Sequence, residues 1–357
     1  MGTKHSSICF FNNKGGVGKT TLACNVASFI AQRRGLKVLL VDADPQCNAT
    51  QLVLPDATSL KLYSTPNKKH GVTTLREVMA PISAGDASLK PPFVAVPADE
   101  NRFGVSIIPG HPEVALLEDK LSNAWTQFIG GDLGGARISN WNNQLTEITS
   151  KDYDLTIFDV GPSLGALNRT ILIGSDYFVA PMGCDIFSLI GIDNIASWIN
   201  RWHGQYETAY KMCLKDHKEL LADFKIREST SDTNRFLGYT VQQYITKTIK
   251  GKRRATDAYE AILNSIPKKV SESLDFLTPG VGIDTKLGDV PHMFSLVPLA
   301  QTAHTPLHGL TSKDGLSGGQ YGQQEEYIKF IEPVVDSLLK NLKQAQTDGH
   351  AKGATSK

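Results

Sequence analysis

Residues 8–21 read ICFFNNKGGVGKTT, and the reading of this stretch decides the fold. Residues 8–11 form an apolar run of strand length. From Lys19 onward Leu22, Val26, Phe29 and Ile30 recur at helical spacing. Between strand and helix lies a turn built from Gly15, Gly16, Val17 and Gly18, followed by Lys19, Thr20 and Thr21. Glycines let several backbone N–H groups close on one ligand, and the helix that follows adds the positive end of its dipole. Such a turn is a cradle for phosphate oxygens. Lys19 would supply a point charge for the β- and γ-phosphates, and the Thr20 hydroxyl is placed to ligate Mg²⁺.

Working outward, Gly35 closes the helix at a good C′ position. Residues 37–42, KVLLVD, are a nearly continuous apolar run, as expected of a strand buried on both faces of a parallel sheet. Strand, turn, helix and strand make a βαβ unit. Further strands are predicted at 105–109, 155–159, 177–181, 236–245 and 293–298, with helical patterns at 113–128 and 186–202. This alternation predicts an α/β fold, a doubly wound and mostly parallel sheet with helices on both faces. One domain is expected over 5–342, elaborated near 55–105, where only 74–79 looks helical, and near 204–234. A closing helix is expected at 325–342 and a disordered tail over 343–357.

Asp42 and Asp159 each end an apolar strand, and ligands of open parallel sheets bind at that carboxyl edge. Both are candidates for the magnesium shell. The formal net charge of +1 over 357 residues gives no global field for nucleic acid or membrane. Cys9, Cys24, Cys47, Cys184 and Cys213 are scattered without a CxxC, which reads as buried thiols in a reducing compartment. No run approaches the roughly 18 apolar residues of a membrane span. With no leader-like stretch before Asn12, a cytoplasmic location is expected.

Lys14 is the informative departure from an ordinary phosphate loop. The string KGGVGKTT at 14–21 matches, letter for letter, the deviant Walker A motif of the ParA/MinD/Soj ATPases. Residues 41–50, VDADPQCNAT, resemble that family's DxDPQxNAT segment. Residues 153–159 with PSLG at 162–165 look like its Walker B strand and switch, and 177–181 with Gly191 and Ile192 resemble the next strand and helix. The similarity covers most of the chain and weakens after about residue 200. Where the family often has Cys-Pro-Pro, this chain has Val160, Gly161 and Pro162.

The resemblance implies ATP and Mg²⁺ as cofactors and an ATP-dependent homodimer, with Lys14 reaching a nucleotide held by the partner subunit. It implies catalytic roles for Lys14, Lys19 and Asp44, the last orienting the attacking water, and a metal shell of Thr20, Asp42 and Asp159. Adenine contacts are expected near Gln243 and Pro298. Lys247, Lys250, Lys252, Arg253 and Arg254 form a dense cationic stretch expected to open the next helix. They are candidates for DNA binding without sequence preference.

The resemblance thus points to an ATPase switch for DNA partition or cargo positioning, with a stimulating or cargo-bearing partner protein. The rivals are a regulatory ATPase subunit of a conjugation, surface-assembly or phage-defence system and, further off, an iron–sulfur carrier relative. Membrane docking by a terminal helix is disfavoured, because beyond Leu342 no apolar residue exceeds alanine.

Overall fold

The computed structural model describes residues 4–64, 71–221, 223–224, 226–231, 233–242, 246–249, 252–255, 257–280 and 282–354, with 246–249, 252–255, 257–259 and 348–354 at the level of the backbone. The chain begins with β1 (Ser6–Phe10), α1 (Lys19–Arg34), β2 (Val38–Asp42), α2 (Asn48–Val53), α3 (Asp56–Ser64), α4 (Leu75–Val78), α5 (Ala80–Ala84) and β3 (Ser106–Ile108). It continues through α6 (Glu118–Ile129), α7 (Leu133–Ser139), α8 (Trp141–Thr149), β4 (Leu155–Asp159), α9 (Ala166–Gly174), β5 (Tyr177–Gly183), α10 (Ile186–Leu221) and β6 (Arg235–Gln242). The remainder is β7 (Thr246–Ile249), β8 (Lys252–Ala255), α11 (Asp257–Leu274), β9 (Lys286–Val290), α12 (Leu296–Thr302) and α13 (Gln320–Ala354).

Seven strands form one parallel sheet in the order β3-β2-β4-β1-β5-β6-β9. Alternate strand residues face opposite sides, so an apolar run serves two cores at once. Cys9, Leu39, Val41 and Phe158 face the core built by α6, α9, α10 and α11. Ile8, Phe10, Val38, Leu40, Leu155 and Ile157 face the other, built by α1, α12 and α13. Being parallel, the strands bring their carboxyl ends to one edge, with the loop after β1 near its centre.

Several expectations change. The strand expected at 293–298 is not one: Leu296 and Ala300 are buried one helical turn apart in α12. The outer strand is instead β9, KLGDV, whose glycine and charges hide it from an apolar-run search. Its Gly288 has φ +156°, and a Cβ there would meet Val334 Cγ2 at 2.7 Å, so α13 packs directly on its backbone.

Between 55 and 105 the chain carries α3, α4 and α5, not one helical patch. α3 buries only Ser59 and Leu62, too thin a stripe to be read as a pattern. The 204–234 segment begins as a continuation of α10, whose Trp202, Tyr206, Ala209 and Cys213 keep helical spacing on the buried side. The tail also departs from expectation, since α13 runs on to Ala354. Ala345 is buried, and Gln346 Nε2 donates to Lys4 O and Ser6 Oγ, both at 2.9 Å. An amide thereby ties the helix to β1 without a large apolar residue. The basic stretch does not open a helix: its described residues, Lys247, Lys252, Arg253 and Arg254, lie on the antiparallel pair β7–β8, ahead of α11.

Candidate nucleotide site

Gly16 (φ +73°) and Gly18 (φ +76°) take the left-handed conformation that turns the chain from β1 into α1. Gly18 is the N-cap of α1 and brings no side-chain cap, so the first N–H groups of the helix are left for a ligand. The loop is pinned by buried Asn12, whose Nδ2 donates to Pro181 O at 2.7 Å while its Oδ1 accepts from Lys14 N at 3.0 Å. Lys19 spans it from the other side, donating from Nζ to Lys14 O at 2.9 Å. Lys19 is 7% exposed, and burial lowers its pKa against the opposing pull of Asp159 and Asp44.

Lys14 faces elsewhere. Its ammonium pairs with the carboxylate of Asp185, just beyond β5, and both groups stay partly exposed. Asp185 also accepts from Ser188 N at 3.1 Å, in the first turn of α10. Burial pushes the Asp185 carboxyl up, but Lys14 and the backbone donors outweigh it and hold the group below its ordinary value.

The three aspartates take different positions. Asp42 is fully buried, and its Oδ2 accepts from Thr50 N at 2.7 Å and Thr50 Oγ1 at 2.6 Å. Burial still raises it to about 6. Its carboxylate therefore anchors α2, and Thr50 Oγ1 passes the contact on by accepting from Gly110 N at 2.8 Å. Asp159, opposite Asp42 in the β2–β4 register, is also fully buried, yet among the described residues neither carboxylate oxygen has a hydrogen-bond partner. Burial raises its pKa well above the ordinary value, and the nearby negative charge of Asp42 adds to this. The Thr20 hydroxyl favours the charged form without reaching hydrogen-bond geometry.

A buried carboxylate left without a partner is costly unless something binds it. Magnesium takes one or two carboxylates and completes its shell with waters and phosphate oxygens, so Asp159 with Thr20 suits it. Asp44 is 8% exposed, and its Oδ1 accepts from Gln46 N at 3.0 Å. It lies against the loop after β4, where a Cβ on Gly161 would stand 3.1 Å from Asp44 Oδ1.

The loop glycines, Lys19, Thr20, Thr21, Asp44 and Pro162 line one cavity of about 790 Å³. A smaller cavity of about 230 Å³ shares Gly18 and Thr21 and is walled by Gln242, Pro291, Met293, Phe294, Val297 and Pro298. Pro298, an expected adenine contact, lines this cavity beside Gly18 and Thr21, while Gln243 lies outside the described residues. Sequence reasoning missed Pro291, Met293 and Phe294. The available signal was Val290-Pro291, a strand end followed by a helix breaker. Of the basic residues, Lys250 lies outside the described residues. Lys247 pairs in register with Arg254, Arg253 with Thr248 and Lys252 with Ile249.

A parallel sheet with a glycine turn leading from its central strand into a helix, a buried lysine and strand-end aspartates defines the P-loop nucleoside-triphosphatase fold. The family model described as AAA domain (AAA_31) matches residues 5–212, and the chain belongs to that family, among its ParA/MinD/Soj-like members. It is 31% identical over 203 residues to the chromosome partitioning protein ParA of Caulobacter vibrioides, covering 55% of this chain and 63% of that protein. It is 31% identical over 193 residues to the virulence plasmid ParA family protein pGP5-D of Chlamydia muridarum, covering 54% and 61%. The chain thus spans about three fifths of the length of these curated relatives. The crystal structure of protein DIP2308 from Corynebacterium diphtheriae is 33% identical, covers 84% of this chain and 97% of that one, and superposes with a TM-score of 0.70.

Proposed function

We propose that the protein is an ATPase switch of the ParA type, which closes into a homodimer on Mg-ATP and opens when ATP is hydrolysed to ADP and phosphate. Its role on this reading is DNA partition or the positioning of intracellular cargo. The observation that carries it is the division of labour between two lysines of one loop. Lys19 is buried in its own cradle, whereas the Lys14 ammonium lies outside it, on Asp185. A cation at the rim of the site is available to a nucleotide held by a second copy.

The surroundings suit that arrangement. Ile186, Phe187 and Ile190 follow Asp185 and are 55%, 68% and 50% exposed, an apolar patch that a second protomer would cover. The loop N–H groups with Lys19 would hold the phosphates, and the cavity around Pro291, Met293 and Phe294 would take the base. Thr20 and Asp159 would hold Mg²⁺, which neutralises phosphate charge when bound. Asp42 would keep α2 and the Asp44 loop in place.

Size-exclusion chromatography with light scattering tests this directly. Wild type should shift from monomer to dimer when ATP and magnesium are added, and Lys14→Ala should remain monomeric while still binding ATP. Asp185→Asn should lower the ATP concentration at half-dimerisation by no more than about fivefold, since a partly exposed pair contributes at most ~1 kcal/mol. A Lys14→Ala protein that dimerises as wild type does would end this reading.

The β7–β8 hairpin supports DNA as a partner, because its backbone register sets Lys247 opposite Arg254 and brings Lys252 and Arg253 close along the same ribbon. Binding through four such phosphate contacts should weaken about a hundredfold between 50 and 200 mM salt. Fluorescence anisotropy with a random-sequence duplex measures it. Lys252→Glu/Arg253→Glu/Arg254→Glu should lose most of the affinity and the salt slope, with DNA-free ATP turnover unchanged; an unaltered slope removes the hairpin from the interface.

The same switch could serve as a regulatory subunit of a conjugation, surface-assembly or phage-defence system, and a partner protein that stimulates hydrolysis or carries cargo belongs to either role. The iron–sulfur reading loses ground, since Cys184 is buried and burial pushes its thiol up to about 11. Among the described residues no helix is long and apolar enough to cross a membrane.

A further inference from the structure

The loop that runs from Asp159 into α9 touches Asp44 at one end and α6 at the other. α9 starts at Ala166, and its N-cap, Gly165, has no side chain to satisfy the first N–H groups. Glu118, the first residue of α6 and 48 residues earlier in the chain, does so instead. Its Oε2 accepts from Ala166 N at 2.6 Å and from Leu167 N at 3.2 Å. A negative charge at this end of a helix is also favoured by the helix dipole.

A Cβ at Gly165 would lie 2.2 Å from Glu118 Oε1, so a side chain there would displace the carboxylate from this contact. From inside, Asn168 Nδ2 donates to Gly161 O at 2.8 Å and Ser163 O at 2.7 Å, so any shift of α9 is passed to the loop. Gly161 is the residue pressed against Asp44, and Pro162 lines the phosphate cavity.

We propose that Glu118 is a positioning residue for hydrolysis: from α6 it fixes the start of α9, and through it the 161–165 loop, so that Asp44 is held at the γ-phosphate side of the site. This rests on the ATPase reading above. α6 and α9 also pack against each other, and Leu121, Trp125, Leu167 and Ile171 on them are all buried in one core, so losing one carboxylate should loosen the loop without parting the helices. Glu118 is not among the residues lining the cavity at the glycine loop or the one beside Pro298, and its removal should act on the chemical step rather than on binding.

Single-turnover ATP hydrolysis with protein in excess, together with the Kd of a fluorescent ATP analogue, tests the assignment. Glu118→Ala should lower the hydrolysis rate constant about tenfold, as a sub-ångström misplacement does, and leave Kd within about twofold. Glu118→Gln keeps an acceptor oxygen and should recover most of the rate. Gly165→Ala offers an independent route, since its Cβ collides with the carboxylate. It should reproduce the loss, and should add nothing further in the Glu118→Ala background, where the collision is gone.

Hydrolysis by Glu118→Ala and Gly165→Ala at the wild-type rate overturns the inference alone. So does a proportional loss of binding and hydrolysis, which would mark a structural role. A wild type that binds ATP without hydrolysing it overturns the ATPase reading, and the inference with it.

Discussion

Lys19→Ala should bind ATP about a hundredfold more weakly than wild type, equivalent to about 3 kcal/mol. Lys19 is the buried cation of the site, and its Nζ bonds to Lys14 O across the loop. Removing it takes away the charge-assisted contact to the terminal phosphates and the strap that shapes the backbone cradle. It also leaves Asp159 and Asp44 without the positive charge that Lys19 supplies there. ADP lacks the γ-phosphate that Lys19 would contact, so with magnesium present the loss should be larger for ATP than for ADP. Isothermal titration calorimetry with both ligands reads the difference. An affinity within twofold of wild type would mean that the phosphates lie elsewhere.

Asp44→Ala should have the opposite signature, with ATP bound at near wild-type affinity and hydrolysis slowed about 10²- to 10³-fold. One oxygen of Asp44 is engaged by Gln46 N, and among the described residues no hydrogen bond is formed to the other. That second oxygen can orient a water at the terminal phosphate, a step in which positioning supplies most of the catalysis. With hydrolysis blocked and Lys14 intact, the ATP-bound dimer should accumulate and persist through gel filtration. Quenched-flow hydrolysis and light scattering on one sample check both halves. A monomeric Asp44→Ala protein with wild-type turnover would remove the residue from the mechanism.

The contrast between these variants reflects what could be read along the chain. The phosphate loop was legible because its chemistry is local: a few consecutive backbone N–H groups, glycines that let them turn, and a helix start. The strand-end aspartates were legible for the related reason that an apolar run of strand length ends visibly. Their separate circumstances were not. Thr50 comes from α2 to occupy Asp42, while among the described residues the Asp159 carboxylate has no hydrogen-bond partner, and only the fold brings those residues together. β9 escaped because the apolar-run signal fails for an outer strand containing Gly288 and Asp289.

By itself the amino-acid sequence determined the parallel α/β architecture, the glycine turn of phosphate-loop form and the presence of a second lysine within it. These follow from periodicity and from backbone chemistry confined to neighbouring residues. Only the tertiary structure decided that Lys14 rests on Asp185 outside its own cradle, that Pro291 and Phe294 wall a cavity beside Gly18, and that Glu118 caps a helix 48 residues further on. Each is a contact between side chains or backbone groups far apart in the chain, and the strand order that brings them together leaves no mark at the spacing of neighbouring residues.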